Sequence, residues 1–328
     1  MSNRQLSYIE AMGEALQEEM RRDARVFLMG EGVSQREYGP ALLKEFGVQR
    51  VVNMPISEAG YTGVGLGAAL TGMRPVVRIG FVDLMPLTMD QLLNQVGKIR
   101  YMLGGQLTVP LVIIAPTGST GGAAAQHSQS LEGLFIHVPG IRVAVPSTPY
   151  DAKGLLKTAL REENPTVFLP SKPLNATRGT VPTDEYTVPF GKAAVRREGT
   201  DVTVVAWSRM VVRALEAANR LDDQEGISVE VVDPRTLVPL DAEALLDSVK
   251  KTGRLVIVEE ECKRGAAGAE IASMIAEDGF HHLQTPLQRV AAKNVPIPYA
   301  QVMEAFVIPQ VEDIVAAVRQ TVRTAEGG

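Results

Sequence analysis

NMPISEAGYTGVGLGAALTGMRP, Asn53 to Pro75, is the stretch on which the fold turns. A short apolar run, Val51–Val52, leads into Glu58 and then into a helical pattern carrying Gly60, Gly63, Gly65 and Gly67 along its first turns. Glycine in a helix costs roughly 1 kcal/mol relative to alanine, so four together imply that another backbone or a ligand comes close. A dinucleotide site is excluded by spacing. From Gly60 the pattern is G-x-x-G-x-G-x-G, and no acidic residue ending a following strand is placed to take a ribose. The plain alternative is a helix packed tightly on a neighbour. Glu58, between Ser57 and Ala59 with Ile56 just before, is either a first-turn charge facing the helix dipole or a functional acid.

Outward from this stretch, short β-branched runs alternate with helical spacing. Val26–Met29, Val51–Val52, Val76–Ile79, Leu111–Ala115, Arg142–Val145 and Thr166–Leu169 read as strands, mostly continuous apolar runs that belong in a buried parallel sheet with helices on both faces. Pro170 to Pro189 loses periodicity and reads as a surface linker. Alternation then resumes with strands at Val202–Trp207, Val229–Asp233, Leu255–Glu259 and Leu287–Ala291. Helical spacing marks Met210–Leu221, Ala242–Lys250, Ala266–Glu277 and Val311–Arg323. The expectation is an α/β chain of two domains, residues 1–180 and 196–328, joined by a linker at 181–195.

The length of 328 residues suits two such domains. The net charge of −5 is spread along the chain and argues against nucleic acid or an anionic membrane surface as the main partner. Val109 to Ala115, the longest apolar stretch, is too short to cross a bilayer. The N-terminus has neither a signal-peptide core nor a transit-peptide bias, and Cys262 is the only cysteine. A cytoplasmic setting is expected. Four scattered histidines and one cysteine make no zinc site.

Three long segments carry a family resemblance: PISEAG with its glycine-rich helix, MRPVVRIGFVDL…MDQLLNQVGKIRYMLGGQLTVPLVI, and AAAQHSQSLEGLFIHVPGIRVAVPSTPYDAKGLLKTALREENPTVF. With VVDPRTLVPLD and KTGRLVIVEEE they resemble, over nearly the whole chain, the beta subunits of the thiamine-diphosphate-dependent first component of 2-oxo acid dehydrogenases. Acetoin dehydrogenase beta subunits look closest, through EEMRRD, AAAQHSQ and YTVPFGKA. The resemblance implies a parallel-sheet, pyrimidine-type thiamine-diphosphate-binding domain followed by a smaller transketolase C-terminal-like domain. It also implies that Glu58 hydrogen-bonds the ring nitrogen of the aminopyrimidine and favours the imino tautomer, while the thiazolium serves as electron sink. His127 in HSQS matches a family histidine beside the reacting centre; read from the residues alone it is a polar residue near a helix start. His137 matches a family position with a structural role, and His281 and His282 read as solvated.

Ile56, Gly80 and Leu84 fall on cofactor-lining positions. The family carries Phe or Tyr where this chain has Leu84, and Gln or Met where it has Gly80. That substitution removes an aromatic face and widens the pocket. Strand alternation would point Phe81 away from Gly80.

Mg²⁺ requires octahedral oxygen ligands, and the superfamily's Gly-Asp-Gly for it is missing here. The resemblance therefore implies an alpha subunit that holds Mg²⁺ and the diphosphate in an α2β2 tetramer, with the helix Gly60–Leu70 as one interface. It further implies a structural K⁺ on Leu111, Ile113, Ala159, Glu162 and Asn164, and a lipoyl-bearing dihydrolipoyl acyltransferase as a further partner. The acidic run Glu259 to Glu270 reads as solvated and Cys262 as inert. The expected activity is cleavage of a 2-oxo acid or acetoin with acyl transfer to lipoamide. A split transketolase-like subunit and a non-catalytic scaffold are the alternatives.

Overall fold

The computed structural model describes residues 3–326. Two compact units divide them: residues through Thr117 with Leu134–Phe190, and Gly118–Gly133 with Gly191 onward. The loop Gly118–Gly133, expected in the first domain, packs with the second unit.

In chain order the strands are β1 Asn3–Ser7, β2 Val26–Gly30, β3 Val51–Asn53, β4 Arg74–Arg78, β5 Val112–Ile114, β6 Arg142–Ala144, β7 Thr166–Phe168, β8 Arg178–Pro182, β9 Ala194–Arg197, β10 Val202–Ala206, β11 Val229–Asp233, β12 Thr236–Val238, β13 Leu255–Cys262 and β14 Gln288–Ala292. The helices are α1 Tyr8–Arg22, α2 Gly39–Phe46, α3 Glu58–Leu70, α4 Ile99–Met102, α5 Glu132–Ile136, α6 Pro149–Arg161, α7 Arg209–Glu225, α8 Ala242–Thr252, α9 Ala267–Asp278, α10 Gln301–Val307 and α11 Val311–Glu326.

The first unit is built on a parallel sheet in the order β6-β7-β5-β4-β2-β3. Its central strands are buried on both faces, which is why they read as unbroken apolar runs. One face is covered by α1 and α6, packed on each other over Val112, Ile114 and Phe168. Ser7 and Glu10 form a reciprocal capping box that starts α1, and Thr148 caps α6 with Pro149 in its first turn. Two lysines of α6, Lys153 and Lys157, are fully buried. Their ammonium groups pair with Glu14, Glu18 and Glu185. The Pro170–Pro189 stretch is more ordered than its composition suggests. It holds a 3₁₀ turn, Lys172–Leu174, and β8, which pairs antiparallel with β1 in register from Asn3↔Pro182 to Ser7↔Arg178.

The second unit holds a sheet in the order β14-β13-β10-β11-β9, parallel except for β9. Helices α7 and α11 bury one face over Val204, Val256 and Val258, and α8 and α9 pack on β10 and β13 from the other side of the sheet. The chain leaves β10 for β11 on one side, then returns past β10 to β13. A topological switch point therefore lies between the carboxyl ends of β10 and β13, the place where open α/β sheets take ligands.

Candidate active site

Glu58 opens α3 directly after the extended segment leaving β3, and Ser57 ahead of it makes no side-chain cap. Its residue is only 7% exposed, so the carboxyl is buried at the positive end of the helix. The same helix face carries Tyr61 and Thr62, both buried, whose hydroxyls have no hydrogen-bond partner. Burial, followed by the charges of Glu58 and Glu31, pushes the Tyr61 phenol well above its usual range, which places all three groups in one neighbourhood. Two orphaned hydroxyls beside a buried carboxyl are unusual, because each such atom costs about 1–3 kcal/mol. The sequence reading missed both, although positions three and four after Glu58 lie on its side of a helix.

The four glycines of α3 divide into different roles. A Cβ on Gly65 would lie 2.6 Å from Val77 Cγ2, so this glycine lets the helix seat on β4. A Cβ on Gly60 would meet only the Ser57 side chain, Oγ at 2.6 Å and Cβ at 3.4 Å. Gly63 would meet only Gln91, at 3.9 Å, and Gly67 would meet nothing within 4 Å. These lie on a side that also shows Val64, 54% exposed; Ile56, just before the helix, is 81% exposed.

Gly80 lies just past the end of β4, and Leu84 within the 3₁₀ segment Val82–Thr88 that packs on α3. A Cβ on Gly80 would sit 3.5 Å from Leu84 Cδ1, with no other atom within 4 Å. β4 stops at Arg78, but Phe81 keeps an extended backbone. Its ring lies under the Lys172 ammonium, 4.8 Å from the centroid. At the end of β4, buried Arg78 pairs bidentately with Glu37 at 3.0 and 2.7 Å.

His127 belongs to the second unit and is exposed on the loop Gly118–Gly133. That loop takes positive φ at Gly118, Gly121, Gly122 and Ala124. Next to His127, Ser128 is buried and its hydroxyl has no hydrogen-bond partner. It lines a cavity of about 360 Å³ with Leu131, Cys262, Lys293 and Ile297. His137 and His281 are exposed, and the His281 and His282 rings lie 3.9 Å apart. Cys262 is a free, exposed thiol.

The expectation of a solvated acidic run is overturned, because Glu259, Glu260 and Glu261 are all buried. Glu259 accepts from Arg289 and the Gly268 amide at 2.6 and 2.7 Å. Glu260 takes Arg209, with Nε at 3.0 Å. Glu261 accepts from the Gly133 and Ala267 amides. Burial, then the Glu132 charge, pushes the Glu261 carboxyl up to about 9.

The expected K⁺ positions lie around the ends of β5 and α6. The Leu111 carbonyl accepts from the Thr166 amide at 2.9 Å, and the Glu162 carbonyl from Arg74 at 2.5 Å. Arg74 also reaches the Leu160 carbonyl at 2.9 Å. Ile113 is held in the centre of the sheet, Ala159 is buried, and Asn164 accepts from Arg100. Two of the expected carbonyls thus already have donors. The buried Thr166 hydroxyl has no hydrogen-bond partner. Among the described residues, no group of three or more His, Cys, Asp or Glu side chains is placed to hold a metal ion. No helix among them is long and apolar enough to cross a membrane.

Comparison with known proteins covers both units. Residues 4–177 match the family "Transketolase, pyrimidine binding domain" and residues 191–314 match "Transketolase, C-terminal domain". The chain is 41% identical over 321 residues to the 2-oxoisovalerate dehydrogenase subunit beta of Bacillus subtilis, covering 96% of this chain and 98% of the relative. It is 42% identical to the acetoin:2,6-dichlorophenolindophenol oxidoreductase subunit beta of the same organism, covering 95% and 96%. It is likewise 42% identical to the pyruvate dehydrogenase E1 component subunit beta of Rhizobium meliloti, covering 94% and 68%. Among solved structures, a split gene transketolase, described as an inactive beta4 tetramer, superposes with a TM-score of 0.81 at 25% identity, covering 97% and 98%.

Proposed function

Because this chain belongs to the family of beta subunits of thiamine-diphosphate-dependent 2-oxo acid dehydrogenase first components, we propose that it cleaves a 2-oxo acid or acetoin together with an alpha subunit and passes the acyl group to lipoamide. The observation that carries this reading is the buried Glu58 carboxyl at the start of α3, beside the orphaned hydroxyls of Tyr61 and Thr62. These residues suit a heterocycle with one basic ring nitrogen and one amino group.

Bound thiamine diphosphate supplies an electron sink for cleavage next to a carbonyl. The chain's own part is to position and to move protons. Glu58 shares a proton with the pyrimidine ring nitrogen, and its burial keeps water from competing for that hydrogen bond. Ile56 offers an apolar wall, and Gly80 with Leu84 leaves room beside the ring. His127 hydrogen-bonds the reacting group or the incoming lipoyl arm. The alpha subunit holds Mg²⁺ and the diphosphate in an α2β2 assembly, and the exposed outer side of α3 is one of its interfaces. A lipoyl-bearing acyltransferase receives the acyl group. A structural K⁺ would use the second lone pairs of the Leu111 and Glu162 carbonyls, with Ile113, Ala159 and Asn164 around it and the Thr166 hydroxyl as an added donor. A cytoplasmic setting belongs to the same reading.

The second reading is a split transketolase subunit, favoured by the space at Gly80 and Leu84 and by the fold neighbour. It predicts activity on a ketose phosphate without lipoamide reduction. A scaffold would show neither activity. In the reconstituted complex, Glu58→Gln is expected to lower turnover by about 100-fold or more; wild-type turnover in that variant would overturn the assignment.

A further inference from the structure

The switch-point crevice of the second unit lies between Arg209, the first residue of α7 after β10, and Glu260 near the end of β13. In an open α/β sheet this crevice takes a ligand. Here the start of the loop Gly118–Gly133 is seated against its walls. The Ser119 amide donates to Glu260 Oε1 at 2.8 Å, and the Ser119 carbonyl accepts from Arg209 at 3.1 Å. Gly118 adopts φ +87°, and a Cβ there would lie 3.2 Å from both Glu260 carboxylate oxygens.

A second carboxylate closes on the same segment from α10. Glu304, buried, accepts from the Ser119 hydroxyl, from the Gly121 amide at 2.9 Å and from the Gly122 amide at 2.8 Å. Burial would raise its carboxyl, but the Ser119 hydroxyl and the Gly122 and Gly121 amides hold it below the usual range. At the far end of the loop, the Gly133 amide donates to Glu261. Gly118 also donates to the Gln129 carbonyl at 2.9 Å, which closes the loop on itself around His127.

Burying carboxylates is costly unless every lone pair finds a donor. Three of the carboxylates buried in the second unit, Glu260, Glu261 and Glu304, turn acceptors on one loop. We propose that this loop is the resident occupant of the second unit's ligand crevice, and that Glu304, with Glu260 and Arg209, is a positioning residue that fixes where His127 is presented. The loop takes the place that a nucleotide or acid would fill in a sheet of this topology, and the crevice is thereby turned from binding to holding. This rests on the reading of His127 as part of the active site, but the anchoring itself is testable without it.

The test uses the assembled protein, this chain with its alpha subunit, and the variants Glu304→Gln and Arg209→Lys. Glu304→Gln keeps the volume but presents an NH₂ to the Gly122 amide. Hydrogen exchange, measured without substrate, should speed up about 10-fold or more across residues 118–126 while α6 and β13 stay protected. Turnover on the 2-oxo acid should fall about 10-fold with KM within about twofold, as expected when a group acting in the transition state is displaced. Arg209→Lys, which keeps the charge but loses the bidentate fork, should do the same to a lesser degree. Unchanged exchange in both variants would overturn the anchoring. Faster exchange with unchanged turnover would overturn the positioning of His127 and leave the Glu58 assignment untouched.

Discussion

The start of α3 in the first unit and the switch point of the second are finished in opposite ways. At the start of α3 the first unit leaves buried hydroxyls unpaired on Tyr61 and Thr62 and exposes Ile56, and further along the helix Gly67 stands where a Cβ would touch nothing within 4 Å. At the switch point of the second unit nearly every buried carboxylate oxygen has a donor, and the crevice is filled by the chain's own Gly118–Gly122. An end left unsatisfied in the isolated chain is one that something else completes. An end satisfied from within has given up its ligand and become scaffold.

Removing one side of a satisfied pair gives the largest expected effect. Arg209→Ala would leave the Glu260 carboxylate buried with only the Ser119 amide, and the second unit should lose about 3 kcal/mol in urea melts. A loss below about 1 kcal/mol would mean that the crevice is less closed than its hydrogen bonds suggest.

Glu261 sharpens the contrast through pH. Its folded carboxyl is raised from 4.5 to about 9 by burial and then by Glu132, so the folded chain keeps a proton that the unfolded chain releases. That contribution to stability is full below pH 4.5 and is lost as pH climbs through the window to about 9. Melts from pH 5 to pH 9 should show a falling slope that flattens in Glu261→Gln; equal slopes would contradict it.

At the unsatisfied end the sign reverses. Tyr61→Phe removes an orphaned hydroxyl and should stabilise the isolated chain by about 1 kcal/mol, while weakening its assembly with the alpha subunit. Calorimetry on the chain alone and on the mixture separates the two; a destabilised isolated chain would show that the hydroxyl has a partner. The smallest effect is expected at Gly67→Ala, where nothing lies within 4 Å. It should gain about 0.5–1 kcal/mol in the isolated chain, whereas Gly65→Ala, facing Val77, should lose stability.

Much of this architecture was legible in the residues. The buried parallel strands announce themselves as unbroken apolar runs, and the Glu58 motif marks a strand-to-helix junction without further help. What stayed hidden depends on long-range pairing. Glu259–Glu261 read as a solvated acidic run because, apart from the nearby Ala267 and Gly268 amides, the groups that pair with them come from Arg209, Arg289 and Gly133, at least 30 residues away in the chain. Lys153 and Lys157 look like surface lysines until Glu14, Glu18 and Glu185 are brought beside them. β8 was lost among prolines and threonines because its partner is the N-terminal strand more than 170 residues earlier. The packing of Gly118–Gly133 with the second unit has little local signal, since apart from the Ser119 hydroxyl its donors are backbone amides that any sequence supplies.

The most direct test is a calorimetric titration of thiamine diphosphate with Mg²⁺ into this chain alone, the alpha subunit alone, their mixture, and the mixture carrying Glu58→Gln. Saturable binding is expected only in the mixture, and about 10-fold weaker or worse with Glu58→Gln. Binding of equal strength in the Glu58→Gln mixture, or full affinity in this chain alone, would contradict a cofactor held between two subunits by that carboxyl group.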